Sequence, residues 1–339
     1  MTIKACIIVI YMAVLAIIGI LSSKKIHALS DFYVGGKKLG YWVVAFSARA
    51  TGESGWLLLG LTGMGAMMGL KAFWVVIGEV LGVTICWLFM AKKFKYLTDR
   101  FDSITIPDYL ASRFNCKTHT LRLSAALILM VFITIYVSAQ IDATGSAFEA
   151  FFGWNYFVGA LIGFGIVVTY ISFGGFVAVA WSDLFQGIMM LVGLVVLPIV
   201  AYTVYQSQFD IPLLEHLSTI DPSLIQFMGS EGFSIMNIFG IIGFLTIGIG
   251  FLGSPQIFVR FISVKDREEI TKGTYVAIAF TILTDSAAVL AGMLGRALLT
   301  SPTQEVTQVL GNGAQDVLPL LVETVFSPIL IGLYIAAVL

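Results

Sequence analysis

Ser47-Ala48-Arg49-Ala50-Thr51-Gly52-Glu53-Ser54-Gly55-Trp56 interrupts an otherwise apolar stretch running from Tyr41 to Leu70. A basic and an acidic residue therefore fall where lipid would be expected. In a bilayer core, unsatisfied backbone and ionised side chains are tolerated only where protein or a water-filled cavity surrounds them. The stretch predicts a membrane helix unwound around a buried functional site.

The rest of the chain supplies the membrane context. Its 339 residues are 58% hydrophobic and 12% charged, with the apolar residues in blocks separated by charged stretches, which no soluble domain matches. Blocks long enough to cross a bilayer fall near 5–22, 41–68, 73–91, 121–148, 155–174, 177–205, 233–253 and 274–299, and a ninth begins near 328. The fold class is an all-α polytopic membrane protein. Strand periodicity is absent. The first block lacks a small-residue cleavage pattern and is read as a retained helix.

Loop charge gives direction. Lys24, Lys25, Lys37 and Lys38 lie in the first loop, Lys92, Lys93, Lys95, Arg100, Arg113, Lys117 and Arg122 in the third, and Arg260, Lys265, Arg267 and Lys272 between blocks seven and eight. The opposite loops, 206–232 and 300–327, contain acidic residues and no Lys or Arg. The basic loops are expected in the cytoplasm and the N-terminus outside.

Several functions have no support. A net charge of −1 argues neither for nor against nucleic acid. Cys6, Cys86 and Cys116 form no disulfide or metal pattern, and His27, His119 and His216 all lie in loops. No phosphate-binding loop, His-Glu-x-x-His pair or nucleophile elbow occurs, so an enzyme is not expected. The final block offers about 12 apolar residues, or about 18 Å, against a hydrocarbon core of about 30 Å. A partial chain is expected, with roughly 150 residues, or four to five more helices, beyond Leu339.

Glycines supply a second signal. Gly240, Gly243, Gly248, Gly250 and Gly253 crowd the seventh block ahead of Pro255, each costing about 1 kcal/mol relative to alanine in a helix interior. Such glycines serve either close helix packing or a discontinuous helix. Paired with the interruption in block two, five blocks earlier, they point to a secondary transporter built from inverted repeats with its site at the bilayer midplane.

Four collinear motifs then resemble a known family: Ser30-Asp-Phe-Tyr-Val-Gly-Gly-Lys-Lys-Leu-Gly40, Ser54-Gly-Trp-Leu-Leu-Leu-Gly60, Thr105-Ile-Pro-Asp-Tyr-Leu-Ala-Ser-Arg-Phe114 and Gly174-Gly-Phe-Val-Ala-Val-Ala-Trp-Ser-Asp-Leu-Phe-Gln186. They look like the sodium/solute symporter family, most like its bacterial sodium/proline symporters. The resemblance implies a leucine-transporter-like inverted-repeat core with one extra N-terminal helix, incomplete at the C-terminus. On that plan residues 1–40 hold the extra helix and a loop, 41–205 the first five-helix repeat, 206–232 an extracellular loop, and 233–339 the start of the second repeat.

The same resemblance implies site residues. Backbone carbonyls of Ala50 and Glu53, with the Asp183 carboxylate, would bind sodium, and the helix-nine partners would come after Leu339. Ser54, Gly55, Trp56 and Tyr136 would line the substrate pocket with the break in helix seven. The relatives carry Asp at the position of Gly52, Met at Glu53, Trp at Ile247, Tyr at Phe251 and Cys at Thr284. Ile247, Phe251 and Thr284 are thus pocket candidates at which specificity can differ.

The intramembrane charges add Arg49 and Asp285 as candidates for coupling, with Arg49 and Glu53 spaced i,i+4 for pairing. Gln140, Asp142 and Glu79 are weaker candidates, and Arg296 is expected to snorkel toward the interface. Asp183 has an alternative reading as a helix N-cap. The expected function is uptake of a small zwitterion, such as proline or another amino acid, driven by inward sodium flow in a bacterial cytoplasmic (inner) membrane. No cofactor other than the coupling ion, no nucleic acid and no obligate protein partner is implied, and lipid is the surrounding medium. A transporter-like sensor module and proton-coupled uptake are the alternatives.

Overall fold

The computed structural model describes residues 3–338. Among them no strand occurs, and one isolated β-bridge pairs Leu39 with Val264. The expected spans appear in order. The first is Ile3–Ser23, the fourth Thr120–Phe152 and the eighth Arg267–Leu299, while Pro328–Val338 begins the ninth. The third runs from Phe73–Ile85 through Cys86–Ala91 into Lys92–Arg100, further than expected, because the helix continues through its basic end. Helix Tyr156–Gln208 would measure about 80 Å if straight. Non-helical Gly175 (φ 50°, ψ −151°) divides it into spans five and six, a conformation that only glycine adopts without strain.

The second span corrects the sequence reading. It is wound throughout, as Tyr41–Gly55, a π-helical turn Trp56–Leu61, and Thr62–Met68. Gly55 itself keeps helical angles (φ −60°, ψ −24°). The charges expected to force an unwinding instead satisfy each other along the helix, and the local irregularity is taken up by the wider π turn that follows.

The seventh span is discontinuous, as its glycines suggested. Ile235–Ile247 is α-helical, Gly248–Gly253 tightens to a 3-10 helix, Ser254 is extended (φ −74°, ψ 107°), and Pro255 starts a new helix, Pro255–Ser263. Both glycine explanations operate here. A Cβ on Gly248 would run into the backbone of Gly78, and one on Gly82 into the backbone of Gly248, so the broken span lies directly on the third. In lipid, where apolar burial gains little over the solvent, such small-residue contacts let packing hold helices together. Leu57, Leu61, Val75, Leu194, Leu197, Ala288 and Val289 are among the buried residues that join spans two, three, six and eight into one core.

The loops gather at two ends. At the basic end Lys37 Nζ donates to Thr98 O (3.4 Å), Lys95 Nζ to Ile262 O (3.2 Å) and the Tyr41 backbone N–H to Glu269 Oε2 (2.8 Å). At the other, Trp74 Nε1 donates to Phe227 O (2.8 Å), and Gly69 and Gly63 pack on the backbones of Leu224 and Gly313 from the two acidic loops.

Candidate functional site

Spans two, three and eight meet around a charged constellation sealed from solvent. Arg49 is 1% exposed, and Glu53, Glu79, Thr284 and Asp285 are 0% exposed. Arg49 and Glu53 stand one helical turn apart, so the guanidinium donates from Nε (3.0 Å) and Nη2 to the single oxygen Glu53 Oε1. The other oxygen, Oε2, accepts from Thr284 Oγ1 (2.9 Å) across on span eight. Arg49 Nη2 also lies 3.7 Å from Glu79 Oε2, and Trp56 Nε1 donates to Glu79 Oε1 (3.1 Å). Two coupling candidates, Arg49 and Asp285, thus share one cluster with Glu53 and Thr284, and Glu79, ranked lower from the sequence, belongs at its centre.

The broken seventh span adjoins this cluster through Phe251, whose ring lies 5.0 Å from the Arg49 guanidinium carbon. A Cβ on Gly52 would stand 2.8 Å from Phe251 Cε1, so the ring fills the space beside that glycine. Ile247, four residues earlier, packs against the main core.

A second network forms on another face of span two, at Ser47 and Thr51. Asp183 Oδ2 accepts from Ser47 Oγ (2.5 Å), Thr51 Oγ1 (3.3 Å) and Arg260 Nη2 (2.6 Å). Arg260 also donates to Ser47 Oγ (2.7 Å), Thr51 Oγ1 and Gln256 O (2.7 Å). This corrects two expectations. Asp183 sits well inside span six, so it caps no helix, and Arg260 is no loop residue but a buried one on Pro255–Ser263. Its signal in the sequence was Pro255, which starts a helix at N1 and carries Arg260 back into the bundle.

The remaining candidates scatter. Tyr136 Oη donates to Thr51 O (2.9 Å), and a Cβ on Gly55 would touch Ala143 on span four (3.0 Å). Ala50 packs into the core beside Gly187, and the Glu53 carbonyl accepts the Trp56 backbone N–H. The Ser54 side chain and Leu339 lie outside the described residues. Asp142 accepts from Tyr156 Oη (2.5 Å) and so ties spans four and five. Arg296, rather than snorkelling into the open, is 7% exposed, with Nε and Nη1 unpartnered among the described residues. Two cavities, of about 440 and 530 Å³, lie away from these clusters, along the first span against spans six and five.

Comparison with known proteins bears on this geometry. Residues 32–339 match the sequence model described as Sodium:solute symporter family. The chain is similar to the high-affinity proline transporter PutP of Bacillus subtilis (34% identity over 95% of this chain and 66% of that protein). It is also similar to the osmoregulated proline transporter OpuE of the same organism (34%, 84% and 57%) and to sodium/proline symporter 2 of Staphylococcus saprophyticus (31%, 98% and 63%). The chain spans less than two thirds of the length of these relatives. Its backbone matches the substrate-bound outward-open structure of a Na+-coupled sialic acid symporter with a TM-score of 0.81, covering 100% of this chain and 70% of that one at 20% identity. The fold is thus the leucine-transporter-like one.

Proposed function

The chain belongs to the sodium:solute symporter family, and on that premise we propose that it is the core of a secondary transporter that couples inward sodium flow to uptake of a small zwitterionic solute by alternating access. The observation that carries this reading is the break at Gly248–Ser254, set against the charged stretch of span two. The N-terminus of helix Pro255–Ser263 presents the positive end of a dipole, suited to a substrate carboxylate. Carbonyls in the irregular turn suit sodium or a substrate ammonium group. We place the pocket among Ser54, Gly55, Trp56, Tyr136, Ile247, Phe251 and Thr284.

For sodium we propose the carbonyls of Ala50 and Glu53 and the carboxylate of Asp183, a hard-oxygen set suited to that ion. In this proposal Asp183 Oδ1 faces the ion while Oδ2 holds Arg260. The Glu53 carbonyl must first release the Trp56 N–H, which the π turn next to it makes a local adjustment.

We take the two inverted repeats to be 41–205 and 233 onward, after the extra helix and loop of 1–40 and with 206–232 as an outer loop. The membrane is a bacterial inner membrane, the basic loops face the cytoplasm and the N-terminus is outside. The named relatives transport proline, but a substrate other than proline is favoured where Ile247 and Phe251 replace larger or hydroxylated side chains. Discrimination by apolar shape is worth only about 1 to 3 kcal/mol per methylene, so specificity shifts easily. Competition by a panel of amino acids against labelled proline tests this. Strict proline selectivity would refute the shifted pocket, and indifference to every amino acid would refute the substrate class.

A further inference from the structure

The hydrogen bonds of the buried cluster do not balance. Among the described residues, Glu53, Glu79 and Asp285 present six carboxylate oxygens to three donor groups, Arg49, Trp56 Nε1 and Thr284 Oγ1. Thr284 has one hydroxyl hydrogen yet stands within reach of Phe280 O (2.8 Å), Glu53 Oε2 (2.9 Å) and Asp285 Oδ1 (3.2 Å). Glu79 Oε2 and Asp285 Oδ2 are both buried and, among the described residues, accept no bond from an N–H or O–H donor. The carboxyl groups of Glu79 and Asp285 reach each other instead. Two ionised carboxylates repel and have nothing to donate, so such a contact is stable only with a proton between them.

Charge leads to the same place. With all three acids ionised and, among the described residues, only Arg49 to oppose them, the cluster would carry two uncompensated negative charges in a sealed site within the membrane. The facing titratable groups offer no relief. Span two contributes Arg49 and Glu53, already paired, and span three adds the buried Cys86 thiol. Gly248–Gly253 of span seven carries no ionisable group, and Arg260 and Asp183 are engaged with each other. The described residues hold no group of three or more His, Cys, Asp or Glu side chains arranged for a metal ion.

We propose that Glu79 and Asp285 form a proton-binding pair that holds one shared proton inside the membrane, COO⁻ plus H⁺ giving COOH, next to the Arg49–Glu53 ion pair. Neither acid is one of the proposed sodium ligands; Thr284 and Trp56 lie between the pair and Glu53. The proton supplies the missing donor. It also frees the Thr284 hydroxyl to remain on Glu53, because a protonated Asp285 donates where it otherwise only accepts.

Infrared spectroscopy of the protein in lipid nanodiscs at neutral pH tests this directly. The unmodified protein should show a protonated-carboxyl C=O band that is lost in both Glu79→Gln and Asp285→Asn. Asp285→Glu, which keeps an acid in place, should retain the band at a shifted frequency. Absence of the band from the unmodified protein, or a band identical in all the variants, overturns the proposal. Uptake measured on the same samples separates it from the transport reading: sodium-driven uptake without the band refutes the proton pair alone.

Discussion

Arg260 Nη2 lies 2.6 Å from Asp183 Oδ2, so the second half of the broken seventh span is ion-paired to the sixth. Both side chains are largely buried, at 5% and 13% exposure, and breaking a buried pair from one side leaves an uncompensated charge worth about 3 to 5 kcal/mol. Arg260→Met and Asp183→Asn should each destabilise the bundle, toward the lower end of that range because Ser47 and Thr51 remain as partners. The double variant should cost less than the sum of the singles. Denaturation in detergent checks this, and strictly additive losses would show that the contact does not couple the two spans.

Arg49 and Glu53 form the second test of coupling. Removing the guanidinium leaves Glu53, Glu79 and Asp285 without a cation, whereas removing the Glu53 charge leaves Arg49 with Glu79. Arg49→Met should therefore raise the sodium concentration for half-maximal uptake more than Glu53→Gln does. The double variant should be less impaired than Arg49→Met. Independent effects of the two substitutions would leave the pair without a role in holding the ion-binding shape of span two.

Gly52 is fixed by its neighbour. Because a Cβ there would meet Phe251 at 2.8 Å, Gly52→Ala should destabilise by about 1 to 3 kcal/mol, the usual cost of overpacking. Phe251→Ala should absorb most of that penalty. Equal effects of Gly52→Ala in both backgrounds would show that the ring is not the obstacle.

His216 gives a pH prediction on the acidic-loop side. Its ring lies 4.5 Å from Phe209 and 5.7 Å from Tyr205 by centroid, and burial there holds the imidazole below its ordinary value. The unfolded chain then takes up the proton at higher pH than the folded one. Its contribution to stability is present above the ordinary histidine range and falls as pH drops through it, from about pH 7 toward 5. In melting experiments, His216→Phe should flatten that part of the profile; an unchanged slope would contradict the assignment.

Much of this molecule was legible in the sequence, for definite reasons. Spans are set by hydropathy over about 20 residues, and the discontinuity of span seven by its glycines and Pro255. The i,i+4 spacing correctly paired Arg49 with Glu53. The unwinding of span two was misread because spacing along a chain cannot say whether a charge is satisfied within its helix or demands a break. Arg260 was hidden by a related limit: near the end of a span, a basic residue counts as a loop charge until the following helix is seen to carry it inward. Glu79 lacked a partner in its own span, and only the packing of spans two, three and eight brings it to Asp285.

On the proposed function, an inward sodium gradient drives solute uptake. Proteoliposomes carrying the intact protein, loaded with potassium and diluted into sodium with no pH gradient, should accumulate labelled amino acid above the outside concentration and release it when a sodium ionophore collapses the gradient. Accumulation unchanged when choline replaces sodium, or driven by a proton gradient alone, would contradict the account.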